Sequence, residues 1–147
     1  MPLRPLDRTR KIELLGRMAL FSTANQRELG QVAALTVPAE LESGTVLTRQ
    51  GTSGGLAYVI AGGRAEVVRG GRRLATLGPG DVVGELSLLD GEPRSATVRA
   101  LTDMEVLQIS SQDLSRLLRK APSVRRKLLE ALALRLRRAD RLPTARL

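Results

Sequence analysis

Apolar residues recur at helical spacing near the start of the chain. Residues 10–20 predict an amphipathic helix that Asp7 or Thr9 caps, and Ser22 precedes a second helical stretch. The apolar face of this helical pair consists of Ile12, Leu15, Ala19 and Leu20, followed by Leu29, Val32, Ala33 and Leu35.

Between residues 36 and 110 the apolar positions fall in short runs that glycines separate, which is typical of antiparallel strands with tight turns. Strict alternation in residues 64–67 places Ala65 and Val67 on one face and the two charged residues on the other. Gly70-Gly71 fits a hairpin turn, and residues 96–100 and 105–109 predict two further strands.

Helical spacing returns at Ser111, and a last helix is predicted from Pro122 to about Leu142. The predicted fold class is α+β but mainly β: a small antiparallel β-barrel or jelly roll flanked by N-terminal helices and a long C-terminal helix. Its parts are an N-terminal helical segment (1–35), the β-barrel (36–110) and the C-terminal helices (111–147), all within one domain.

Composition excludes several classes of enzyme. The 147 residues contain no cysteine and no histidine, and Phe21 and Tyr58 are the only aromatic residues. Disulfides, zinc thiolates, cysteine nucleophiles and histidine-based general catalysis are therefore ruled out, and base-stacking platforms for single-stranded nucleic acid are not expected. We predict a non-catalytic binding or signalling module without a metal or resident cofactor.

The formal net charge of +9 is concentrated at the C-terminal end. Residues 1–112 hold 13 Lys and Arg against 12 Asp and Glu, whereas residues 113–147 hold 11 against 3. This basic segment suits an anionic partner, although a solvated helix face explains it equally well. No apolar run is long enough to span a membrane and no secretory signal is recognisable, so a cytoplasmic location is predicted.

The segment Gly80–Val98 carries the most informative chemistry. Gly84 permits a sharp turn after a strand, and residues 85–89 can form a short helical turn whose free amides favour an anion. Arg94 can bind a phosphate bidentately, with the hydroxyl of Ser95 beside it. The acceptors of Glu85 suit sugar hydroxyls, so the residues predict a pocket for a phosphate, a sugar and an apolar base.

The string GELSLLDGEPRSATV within this segment resembles the phosphate-binding cassette of the cyclic-nucleotide-binding domain family, and the resemblance extends over roughly residues 12–142. It implies that Glu85 accepts from the ribose 2′-hydroxyl, and that Arg94 pairs with the cyclic phosphate. The resemblance implies three sets of contacts. The residues for the phosphate are Arg94, Ser95, Ser87 and Leu86, and those for the ribose are Glu85 and Gly84. The residues for the base are Val67, Leu74, Val83, Ala139 and Asp140.

Two features depart from the family pattern. Val83 stands where a larger residue is frequent, and residues 54–57 replace the more usual acidic-aromatic approach to Tyr58. We expect these changes to alter pocket shape without touching Arg94. Arg94 shows no evident core role in the sequence, so replacing it is expected to spare the fold. Because the family's cGMP-preferring members tend to place threonine near Ser95, cAMP is the expected ligand rather than cGMP.

The last helix carries a short heptad-like apolar seam, formed by Leu129, Leu132, Leu136 and Ala139. It packs either on its own barrel or on a second copy in a homodimer. Four residues follow Pro143, which leaves no room for the helix-turn-helix of related transcription factors, so nucleic acid is not the expected partner.

The leading hypothesis is therefore a cyclic-nucleotide sensor whose last helix moves on ligand binding and signals to an unidentified protein. The alternative is a nucleic-acid- or acidic-partner-binding protein that works through the basic helix and has a degenerate nucleotide pocket.

Overall fold

The computed structural model describes residues 7–84 and 93–141, which form eight strands and four α-helices. The helices and one 3₁₀ turn are α1 (Arg8–Gly16), the 3₁₀ turn (Ala19–Phe21), α2 (Gln26–Leu35), α3 (Ser111–Lys120) and α4 (Pro122–Arg141). The strands are β1 (Val37–Leu41), β2 (Val46–Thr48), β3 (Leu56–Gly62), β4 (Ala65–Arg69), β5 (Arg72–Leu77), β6 (Val82–Val83), β7 (Thr97–Ala100) and β8 (Met104–Ser110).

The strands form two four-stranded antiparallel sheets, with the order β1-β8-β3-β6 in the first sheet and β2-β7-β4-β5 in the second. The mainly β, jelly-roll-like prediction with flanking helices is confirmed. The sheets stack as a sandwich and do not close into a barrel, because in the described parts of the chain no strand of one sheet pairs with a strand of the other.

Strand β8 shows how the layers pack, because its successive side chains point to opposite faces of the first sheet. Leu107 packs against the helices, together with Leu15 of α1 and Val124 of α4. Val106 packs instead toward the second sheet, against Ile60 and other residues of the intersheet core. Both side chains are fully buried, so the first sheet is the middle of three layers.

The β4–β5 hairpin turns at Gly70 and Gly71, as predicted. Their φ angles of 57° and 79° are the left-handed values that a two-residue hairpin turn of this kind requires. Alternation also places Ala65 toward the intersheet core and Glu66 on the opposite face. Glu66 is nevertheless buried, since Arg73 and Arg99 bind its two oxygens at 2.6 and 2.9 Å, and the hydrogen bond from Arg73 is the main cause of its lowered pKa.

Helix α1 begins as one of the predicted alternatives requires: the Asp7 carboxylate accepts from the Arg10 amide at 2.9 Å. Helix α2 begins after Ser22, as predicted, at Gln26. Its N-cap is Asn25, and Asn25 and Glu28 form a reciprocal capping box. A capping box needs an acceptor three residues after the cap, and that spacing is met by Asn25 and Glu28.

Glu28 also caps a second helix, because α4 begins directly beside it. The carboxylate accepts from the Ser123 hydroxyl at 3.0 Å and from the Ser123 amide at 3.2 Å. Ser123 is the second residue of α4, where free amides and the helix dipole favour a negative charge. One buried carboxylate therefore holds the first turn of the last helix against the N-terminal helices.

Replacing Glu28 with alanine is expected to destabilise the protein by about 1–3 kcal/mol, because it leaves the half-buried amide and hydroxyl of Ser123 without an acceptor. Burial alone raises the pKa of Glu28, but the hydrogen bonds from Asn25 and Ser123 outweigh it, and the net pKa lies below its ordinary value. The stabilisation is therefore complete above the ordinary glutamate pKa of 4.5 and is lost as the pH falls through the lower folded-state value.

Urea unfolding of parent and Glu28→Ala, at neutral pH and in acid, measures this contribution. The difference in the free energy of unfolding between the parent and Glu28→Ala should decrease as the pH falls. Glu130→Ala is the matched control, since that carboxylate is 59% exposed and lies 3.7 Å from Lys127. Equal losses in the two variants would show that the contacts of Glu28 stabilise nothing specific.

Candidate functional site

The backbone of Arg94 is tied to the loop that precedes β3. Its amide donates to the Thr52 carbonyl at 2.8 Å, and its own carbonyl accepts from the Gly51 amide at the same distance. These two bonds join segments more than 40 residues apart in the chain and fix where the Arg94 side chain starts.

The guanidinium of Arg94 lies between two backbone carbonyls. Nη1 donates to the Gly84 oxygen at 2.9 Å, and Nη2 donates to the Leu56 oxygen at 2.6 Å. The residue is only 6% exposed. Because both acceptors are neutral, they orient the guanidinium without cancelling its positive charge. The geometry therefore presents a fixed, buried cation of the kind that an anionic group can bind.

Gly84 meets two requirements at once. Its φ of +84° is strained for any residue with a side chain, and it lets the chain turn directly after β6, as the sequence predicted. A Cβ at this position would also collide with Nη1 of Arg94 and lie 3.2 Å from the Leu56 oxygen. Gly84 thus leaves the space next to its backbone that the guanidinium occupies.

The remaining predicted phosphate and ribose residues are placed less fully. Glu85, Leu86 and Ser87, with the predicted helical turn at 85–89, lie outside the described residues. Ser95 is exposed, and its backbone carbonyl accepts from Nε of Arg69 at 3.0 Å. The structure therefore brings Gly84 and Arg94 together, and the roles of the other four residues stay predictions.

The predicted base-contacting residues have different environments. Val83 is 3% exposed within the intersheet core, and Val67 is half-buried against the same core. Leu74 is 53% exposed on the edge strand β5. Ala139 and Asp140 belong to α4, but their side chains lie outside the described part of the structure.

Sequence reasoning missed the loop that holds Arg94. We expected the departure at residues 54–57 to leave Arg94 untouched, and that expectation is wrong. Leu56 supplies one of its two carbonyl acceptors, and Gly54 packs directly against its guanidinium. The signal was present as the pair Gly54-Gly55 before a strand, since adjacent glycines there can mark a close approach of other atoms to the backbone.

The expectation that Arg94 has no core role is also wrong. It is among the buried polar residues, and it donates to the backbone carbonyls of the half-buried residues Leu56 and Gly84.

Among residues 7–84 and 93–141, no group of three or more acidic, histidine or cysteine side chains is arranged to hold a metal ion. Over the same residues, no helix combines the length and apolar character needed to cross a membrane.

Comparison with known proteins gives a consistent family assignment. The "Cyclic AMP receptor protein" of Thermus thermophilus is 42% identical over 96 residues, which cover 62% of this chain and 44% of that protein. The "cAMP-dependent protein kinase type II regulatory subunit" of Drosophila melanogaster is 30% identical over 126 residues, covering 86% of this chain and 33% of that protein. The chain thus spans less than half the length of these two curated relatives.

A solved structure agrees with the sequence matches. The crystal structure of the Thermus thermophilus catabolite activator protein superposes with a TM-score of 0.78 at 36% identity, covering 83% of this chain and 60% of that one. The family profile described as "Cyclic nucleotide-binding domain" matches residues 38–121, which is more than half of the 147 residues. On this evidence the chain belongs to the cyclic nucleotide-binding domain family.

Proposed function

We propose that this chain is a non-catalytic, cytoplasmic sensor that binds a cyclic nucleotide at Arg94. The observation that carries the proposal is the buried guanidinium of Arg94, which neutral carbonyls orient beside Gly84 while its charge is retained. Membership of the family supports a cyclic nucleotide as the anion, and two of the similar proteins have cAMP in their names.

Each predicted residue has a role in this proposal. Arg94 pairs with the cyclic phosphate, Ser95 and the amides of Leu86 and Ser87 assist it, and Glu85 accepts from the ribose. The base lies against apolar side chains of the sandwich and is closed over by α4; these contacts involve Val67, Leu74, Val83, Ala139 and Asp140.

Calorimetric titration with cAMP, cGMP and cyclic dinucleotides in parallel tests the ligand. We expect cAMP to bind at least as well as cGMP. The reason is that cGMP-preferring members of the family tend to place a threonine near position 95, where this chain has a serine. Adenosine is the control, since it keeps the base and ribose but lacks the phosphate that Arg94 binds.

Saturable binding of cAMP with little binding of adenosine is the expected pattern. A clear preference for cGMP or for a cyclic dinucleotide would reverse the choice of ligand. Equal binding of adenosine and cAMP would show that Arg94 is not the anchor, and no binding of any of the nucleotides would contradict the sensor function.

The output of the sensor is proposed to pass through the distal part of α4. The first two turns of this helix are packed firmly, because the side chains of Val124 and Leu128 are buried, at 2% and 7% exposure. Leu129, by contrast, is 60% exposed. Ligand binding should therefore shift the helix beyond residue 128, and the predicted seam of Leu129, Leu132, Leu136 and Ala139 would then pair with a second copy or a downstream protein.

A further inference from the structure

The loop before β3 forms a slot around the guanidinium of Arg94, and Gly54 makes one wall of it. A Cβ built at Gly54 would collide with Nη2 of Arg94 and would lie 2.8 Å from Nε and 3.0 Å from Cζ. All three atoms belong to the guanidinium group. The position of this group therefore depends on residue 54 having no side chain.

Two backbone carbonyls hold the guanidinium on the other sides of the slot. Nη2 is held by the Leu56 oxygen at 2.6 Å and Nη1 by the Gly84 oxygen at 2.9 Å. The Arg94 main chain is held in turn by the hydrogen bond that its amide donates to the Thr52 carbonyl. A Cβ at residue 54 would consequently push the end of the Arg94 side chain away from these carbonyls.

Conformational freedom does not explain a glycine at this position. Gly54 does not have a positive φ, in contrast to Gly84, so alanine can adopt its backbone conformation. The space that Arg94 occupies is the physical constraint that remains.

We propose that Gly54 is a positioning residue for the phosphate anchor: its missing side chain creates the slot that holds the guanidinium of Arg94 in its binding orientation. This inference rests on the proposed function, in which Arg94 binds the cyclic phosphate. It adds that the glycine-containing loop sets the direction of the anchor through Gly54 and the Leu56 carbonyl.

The adjacent glycine provides a matched control. Gly55 also lacks a positive φ, and nothing lies within 4 Å of a Cβ built there. We expect Gly54→Ala to lower cAMP affinity about tenfold, the equivalent of one weakened charge-assisted hydrogen bond. Gly55→Ala should bind as the parent does.

A double-mutant cycle tests whether the effect acts through Arg94. Lysine has no Nη2, the atom nearest to the added Cβ, so Gly54→Ala should cost much less affinity in the Arg94→Lys background than in the parent. The same cycle on the urea unfolding midpoint should show Gly54→Ala lowering the midpoint in the parent but not in the Arg94→Lys background.

Parent-like affinity of Gly54→Ala, an equal loss in Gly55→Ala, or an equal loss in both backgrounds would each overturn the inference while the parent still binds cAMP. A parent that binds no nucleotide would overturn the proposed function and with it the role of Gly54 toward a phosphate. In that case the unfolding cycle separately reports whether the slot exists, so the two failures are distinguishable.

Discussion

Arg94→Ala is expected to lower cAMP affinity by ~2–5 kcal/mol, because a buried phosphate would lose its charge-assisted partner. The fold should lose stability as well, since the Leu56 and Gly84 carbonyls would each lose a donor. An acceptor left unsatisfied in a buried position costs about 1–3 kcal/mol. Titration calorimetry and urea unfolding of the same preparation measure the two effects.

Two variants separate the causes of these losses. Arg94→Lys keeps the charge but cannot donate to both carbonyls in a fork, so it should recover part of the binding and part of the stability. Arg116→Ala removes the same charge from the surface, where the side chain is 52% exposed and lies 3.7 Å from Asp113, and should change neither measurement. If Arg94→Ala binds cAMP as the parent does, the phosphate site lies elsewhere.

Deletion of residues 123–147 is expected to unfold much of the protein rather than only weaken nucleotide binding. It removes the buried side chains of Val124 and Leu128 and the partner of Glu28 in α4. Burial of the two side chains contributes roughly 3–6 kcal/mol, a large part of the ~5–15 kcal/mol that stabilises a typical domain. The loss of the cooperative thermal transition would show this.

Deletion of residues 131–147 is the matched variant, because it keeps every contact just described. It should unfold close to the parent temperature but bind cAMP about tenfold more weakly, as expected if the distal helix and the ligand are coupled. Hydrogen exchange on the intact chain provides the direct comparison, with protection in α4 differing between free and cAMP-saturated protein beyond residue 128.

Unchanged cAMP affinity after this deletion would show that the distal helix is not coupled to the ligand. If the shortened chain instead loses a salt-dependent affinity for nucleic acid or an acidic protein, the alternative function through the basic segment gains support.

Local features of the fold could be predicted from the sequence because short-range geometry encodes them. The hairpin turn at Gly70-Gly71 needs two residues with left-handed backbone angles, and Asp7 can cap a helix if an amide lies three positions ahead. Alternation along a strand is enough to place Ala65 and Glu66 on opposite faces of the sheet. Arg94 could be singled out for the same reason, since its order after Gly84, with Pro93 before it and Ser95 after it, forms a continuous motif.

Contacts between distant segments were decided by the tertiary structure alone. Glu28 and Ser123 are 95 positions apart, and Arg94 reaches the Leu56 carbonyl across 38. Neither contact leaves a periodic signal in the sequence. A backbone carbonyl or amide is present at almost every residue, and only the packing of the chain selects which one becomes the partner. The same reason explains why Arg94 was expected to have no core role, although it is buried in a slot of backbone atoms.

The sequence by itself therefore determined the order of helices and strands, the hairpin and the motif that contains Arg94, since each depends on neighbours a few residues away. The tertiary structure decided that the strands stack as two open sheets, that Glu28 holds α4, and that Gly54, Leu56 and Gly84 enclose the guanidinium. These outcomes depend on which strands and loops become neighbours in space, and the free energy of packing the whole chain settles that choice.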